Sequence, residues 1–110
     1  GVTAQDLNIY KKTKIKENIF YSVIKGGIVN LTRQMASYYG KSNIRVNTVC
    51  PGGVLDNQDK SFIKNYSERV PLGRLANKNE IAQAVLFLAS DASSYITGTT
   101  FMVDGGWSII

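Results

Sequence analysis

The chain contains no histidine at all and a single cysteine, Cys50, among its 110 residues. Without histidine there is no Ser-His-Asp or Cys-His nucleophile system, no HExxH metalloprotease site and no Cys/His zinc cluster within these residues. A lone cysteine cannot close an internal disulfide, which fits a reducing compartment. Cys50 reads as a small structural thiol rather than a nucleophile, because nothing of the imidazole type is present to activate it. No run of about 18 apolar residues occurs, so no membrane-spanning helix is expected. The opening "GVTAQDLNIYKK" lacks the charged start and apolar middle of a signal peptide. The expected location is the cytoplasm, with no membrane partner.

What is present is ordinary for a globular domain: 44% hydrophobic and 19% charged residues, with a net charge of +5. The positive charge raises nucleic-acid binding as a reading, but it is local. Lys11, Lys12, Lys14 and Lys16 share one polar stretch, whereas Arg33, Arg45, Arg69 and Arg74 are scattered. That run reads as a solvated loop, and no nucleic-acid partner is expected. With histidine missing, acid/base chemistry near neutral pH falls to a tyrosine or lysine of shifted pKa.

Two stretches place a tyrosine four residues before a lysine: "YKKTK" from Tyr10 to Lys14 and "YSVIK" from Tyr21 to Lys25. Six tyrosines and nine lysines give roughly 0.5 such pairs by chance, so spacing alone selects neither. Their settings differ. Residues 1–18 show no sustained period and read as an exposed loop or insertion. From Ile19 the pattern changes: Ile24, Ile28, Leu31, Met35 and Tyr38 fall on one helical face, and Gly40 is placed to end the helix. Gly26 and Gly27 near its start indicate either close approach by a backbone or ligand, or simple tolerance.

"IRVNTV", residues 44–49, is a β-branched run that breaks at Pro51-Gly52-Gly53. Residues 54–76 read as a mobile, irregular loop with a short helix around Phe62 to Tyr66. Asn77 with Glu80 three positions later predicts a capping box opening a helix through Ala89, with Ile81, Val85 and Leu88 on one face. "TTFMV", residues 99–103, reads as a second strand. The class is α/β. Two strands and two substantial helices make an incomplete unit, since a two-stranded parallel sheet keeps both edges open.

The segments "YSVIKGGIVNLTRQMA", "IRVNTVCPGGV", "PLGRLANKNEIAQAVLFLASDASSYITG" and "FMVDGG", in this order, resemble the C-terminal half of a short-chain dehydrogenase/reductase. The resemblance covers nearly all of residues 20–107 and selects Tyr21 and Lys25 over Tyr10 and Lys14. Residues four apart on a helix lie one above the other, so a Lys25 ammonium near the Tyr21 hydroxyl would draw its pKa down from about 10. The resemblance implies the C-terminal part of a Rossmann-like doubly wound parallel sheet, with residues 1–110 as one portion of a single domain and the cofactor half absent. It implies Tyr21 as general acid/base, and Lys25 as its tuner and as a hydrogen-bond donor to the nicotinamide ribose of NAD or NADP. It places Pro51, Gly52 and Val54 beside the nicotinamide, Asn47 and Asp104 in local structure, and Trp107 in packing. At Asp56 the family often has threonine.

The glycine-rich cofactor turn does not occur in the chain, and the resemblance sets Gly1 at the glycine of a Ser-x-x-Gly-like turn, with the catalytic serine just before it. The expectation is a fragment inactive by itself. The intact protein would interconvert a small-molecule carbonyl and a secondary alcohol, with sugar or surface-glycan metabolism as the substrate setting, as a homodimer or homotetramer joined through helix 20–39. The competing readings are a truncated, non-catalytic dimerisation module and a basic nucleic-acid binder using the lysine loop.

Overall fold

In a computed structural model the described residues are 1–16 and 18–110. Glu17, within the lysine-rich segment, lies outside the described residues. Five main elements follow in order: α1 (Ile19–Tyr39), β1 (Thr48–Pro51), α2 (Lys60–Arg69), α3 (Lys78–Ala89) and β2 (Thr100–Val103). The strands pair in parallel, Thr48 opposite Thr100 through Pro51 opposite Val103, so the connection between them must cross over, and α2 and α3 lie within it.

Helix α1 starts where Asn18 accepts the Phe20 N–H at 3.0 Å. Gly40 does not turn the chain. It stays right-handed, the backbone continues as a 3₁₀ turn over Gly40–Ser42, and the reversal occurs at Asn43, whose φ is +58°. The buried residues of α1 are Val29, Thr32 and Ala36, small side chains that let the helix approach the sheet, where Thr48 Oγ1 and Thr32 Oγ1 lie 2.6 Å apart. The larger apolar residues that share one helical face, Ile24, Ile28, Leu31, Met35 and Tyr38, are exposed in this chain. They occupy a neighbouring arc of the helix.

The other departures follow from partners. Residues 44–47 form no strand: Val46 bonds the turn before β2, its carbonyl accepting the Gly98 N–H at 2.8 Å and its N–H donating to Thr97 Oγ1 at 3.1 Å. Arg45 instead donates to the carbonyls of Leu88, Ser90 and Ile96 at 2.8–3.2 Å, and Asn47 ties the Ile96 carbonyl to the Thr99 N–H. The short helix expected around Phe62 to Tyr66 forms, longer than expected, and the segment expected to be a mobile loop is part of the core. Helix α2 has ten residues, opens on Asp59, and buries Tyr66, which clusters with Val70, Leu75 and Ile9. Ile9 lies in a 3₁₀ turn over Leu7–Tyr10, so part of the presumed loop before α1 is also core. The Asn77/Glu80 capping box forms as expected and is extended by Arg74, which meets the Glu80 carboxylate through two hydrogen bonds of 2.7 and 2.8 Å.

Candidate active site

The C-terminal ends of β1 and β2 open on a cavity of about 400 Å³. Tyr21, in the first turns of α1, and Pro51 and Gly52, at the end of β1, line it together. Lys25 is one helical turn beyond Tyr21, and its Nζ stands 5.6 Å from the centre of the Tyr21 ring, a cation over an aromatic face. The i, i+4 spacing therefore brings the two side chains together. The other pair is not so arranged. The 3₁₀ turn carrying Tyr10 ends there, and the Tyr10 ring packs 6.1 Å from that of Phe62.

Val54 lies apart from this cavity. It bridges to Ala76, its carbonyl accepts Gln58 Nε2 at 2.6 Å, and it borders a shallow apolar groove with Ile81 and Val85 of α3. Glycine at 52 and 53 has a local cause that the sequence reading did not contain. A Cβ on Gly52 would stand 2.8 Å from Tyr66 Oη and 2.9 Å from the Asp104 backbone, and one on Gly53 would meet the Tyr66 ring at 2.8 Å. At Gly26 and Gly27 tolerance suffices within the described chain: the nearest atom to a Cβ on Gly26 is Gly1 O at 3.8 Å, and Gly27 faces open space.

Tyr66 was not singled out from the sequence as a site residue. Its hydroxyl accepts the Gly53 N–H, and its ring stacks on Trp107 at 4.5 Å and 9°. Burial pushes the Tyr66 phenol up; the Gly53 N–H opposes that rise and the Asp104 charge adds to it. The signal was available: Phe62, Ile63, Tyr66 and Val70 follow a helical period after Asp59, a cap-forming residue. Burial also raises the Asp104 carboxyl, but hydrogen bonds from Ser108 and Gly106 outweigh it and hold the group below its ordinary value. Asp104 thus orders the turn after β2, and Cys50 sits half-buried on β1 beside the cavity. Among the described residues no His/Cys/Asp/Glu cluster could hold a metal, and no helix is long and apolar enough to cross a membrane.

Parallel strands joined by a helical crossover, with a cavity at their C-terminal ends, define part of a Rossmann-like α/β fold. The family model described as enoyl-(acyl carrier protein) reductase matches residues 8–108. The chain belongs to the short-chain dehydrogenase/reductase family. It is 38% identical over 109 residues to the post-translational flagellin modification protein A of Campylobacter coli, covering 99% of this chain and 43% of that protein. It is 35% identical over 105 residues to the 2-keto-3-deoxy-L-fuconate dehydrogenase of Xanthomonas campestris, covering 86% of this chain and 35% of that one. A short-chain dehydrogenase from Leptospira borgpetersenii, solved with bound NAD+, superposes with a TM-score of 0.86 at 37% identity, over 97% of this chain and 40% of the other. The chain spans less than half the length of each of these proteins.

Proposed function

We propose that residues 1–110 are the C-terminal portion of one short-chain dehydrogenase/reductase domain whose intact form interconverts a carbonyl and a secondary alcohol with NAD or NADP. The observation that carries this reading is the shared cavity: Tyr21, with Lys25 over its ring, faces the same space as Pro51 and Gly52. These residues fit the nicotinamide end of such a cofactor, with Lys25 toward the ribose and the Pro51–Gly52 backbone toward the carboxamide. Val54 lies apart from the cavity, and its place beside the nicotinamide rests on the family resemblance alone. A bound nicotinamide supplies hydride chemistry that no side chain can provide. The Tyr21 hydroxyl gives a proton to the carbonyl oxygen in reduction and takes it from the alcohol in oxidation.

Two relatives support a sugar-derived or surface-glycan substrate, one named for a keto sugar acid and one for flagellin modification. The exposed apolar face of α1 supports a homodimer or homotetramer paired through residues 20–39. The single cysteine accords with the cytoplasm. A non-catalytic dimerisation module would use the same face of α1, but it leaves the Tyr21–Lys25 arrangement without a purpose. Full-length protein supplied with NADH or NADPH and a panel of keto sugars and sugar acids should oxidise the reduced cofactor with at least one. Turnover with none, from a preparation that is folded and binds cofactor, would favour the module.

A further inference from the structure

On the reading that this cavity takes a nicotinamide, we propose that Tyr66 is a positioning residue: through the Gly53 peptide it holds the loop after β1 in the shape that meets the cofactor. Three observations converge on it. The first is the hydrogen bond from the Gly53 N–H to the Tyr66 hydroxyl. The Gly53 carbonyl in turn accepts the Ala76 N–H at 2.8 Å, and the Gly52 N–H reaches the Val103 carbonyl at 3.0 Å. The Gly53 peptide is thus held from both sides, by α2 through Tyr66 and by the segment before α3 through Ala76.

The second observation is the fit of the ring against the loop. Any Cβ at Gly52 or Gly53 would collide with Tyr66, so two residues of high backbone freedom are packed against one rigid aromatic side chain. The third is that the ring is itself fixed. It lies between Trp107, at 4.5 Å, and Phe62, at 5.9 Å. The Arg69 guanidinium stands 5.2 Å from the Trp107 ring centre and is paired with Asp6 at 2.9 Å. A hydroxyl placed this firmly gives a two-glycine loop a single conformation before ligand arrives, and preordering of that kind strengthens binding by reducing what must be ordered on association.

Tyr66→Phe keeps the ring and removes only the acceptor for Gly53. In the full-length protein it should raise the Kd for NADH or NADPH, followed by cofactor fluorescence, about five- to tenfold, the effect of losing one ordinary hydrogen bond. Amide exchange at residues 52–54 should quicken in the same variant without ligand present, and the thermal midpoint should fall by no more than a few degrees. A merely structural tyrosine would lower the midpoint and leave Kd and loop exchange as they were, which overturns the proposal. If the wild type binds cofactor and Tyr66→Phe binds equally well, this inference alone fails. If the wild type binds neither cofactor, the nicotinamide reading fails and takes this inference with it.

Discussion

On the proposed pairing through α1, replacing Leu31 with aspartate should break the assembly of the intact protein. The 12.1 kDa chain exposes 7899 Å², whereas a compact monomer of that mass exposes about 6,000 Å². The excess of about 1,900 Å² is more than twice the roughly 800 Å² that one partner contributes to a standard protein interface, enough for both a subunit contact and the surface that the rest of the domain covers. The radius of gyration, 15.6 Å, likewise exceeds the roughly 13 Å expected for a compact domain of this length. Leu31 is 55% exposed in the middle of the uncovered arc of α1, with Ile28 at 44% and Met35 at 37% beside it. Covering the rest of one leucine side chain is worth about 1 kcal/mol, and an unpaired carboxylate in its place costs several more. A two-fold interface contains the substitution twice, so the dimer should weaken by at least about 5 kcal/mol, or roughly 4 × 10³-fold in Kd. Sedimentation velocity of full-length wild type and Leu31→Asp over a range of concentrations reads this directly. A lower thermal midpoint with assembly unchanged would place the cover of α1 within the same chain and contradict pairing through residues 20–39. If neither assembly nor midpoint moved, the inference that this face is covered would be wrong.

Gly52→Ala should destabilise the intact protein by about 1–3 kcal/mol in a denaturant titration, because its Cβ would stand 2.9 Å from the Asp104 backbone, which cannot swing aside as a side chain can. A variant as stable as wild type would mean that the end of β2 yields easily. The Glu80 carboxyl is held down to about 2, first by Arg74 and then by the Asn77 N–H, from an ordinary 4.5. A lowered carboxylate pKa contributes stability above the unfolded value, and that contribution disappears as pH falls from about 4.5 toward 2. Glu80→Gln should therefore flatten the fall of thermal midpoint across that window, by a modest amount that salt reduces further because the pair is exposed. Identical pH profiles for the two proteins would remove this pair from the acid response.

Local signals made much of this fold legible. The apolar period from Ile19 marks α1, the Asn77/Glu80 box marks α3, and β-branched residues mark both strands. What escaped depends on partners distant in sequence. The large apolar residues of α1 announce a face to be covered without saying by what, and the sheet takes the small residues Val29, Thr32 and Ala36 instead. A strand also needs a regular ladder, so residues 44–47, where Val46 meets the Thr97–Gly98 turn, form no strand while Thr48 pairs with Thr100. The short helix around Phe62 to Tyr66 was legible, but the charged residues along it hid that it is core, and with it the role of Tyr66. At the site, the Tyr21–Lys25 spacing carried over directly because a helix fixes i, i+4 neighbours. The reason for Gly52 and Gly53 could not, because it depends on an aromatic ring thirteen residues away packing against them.

The most direct test of the account is the single-turnover rate of cofactor oxidation in full-length Tyr21→Phe, measured alongside its cofactor affinity. Loss of a positioned acid/base group should slow the reaction by about 10²–10⁴-fold, with cofactor Kd within a few-fold of wild type and the thermal midpoint unchanged. A Tyr21→Phe enzyme that turns over within a few-fold of wild type would show that the proton comes from elsewhere and contradict the assignment of Tyr21 and Lys25 as the catalytic pair.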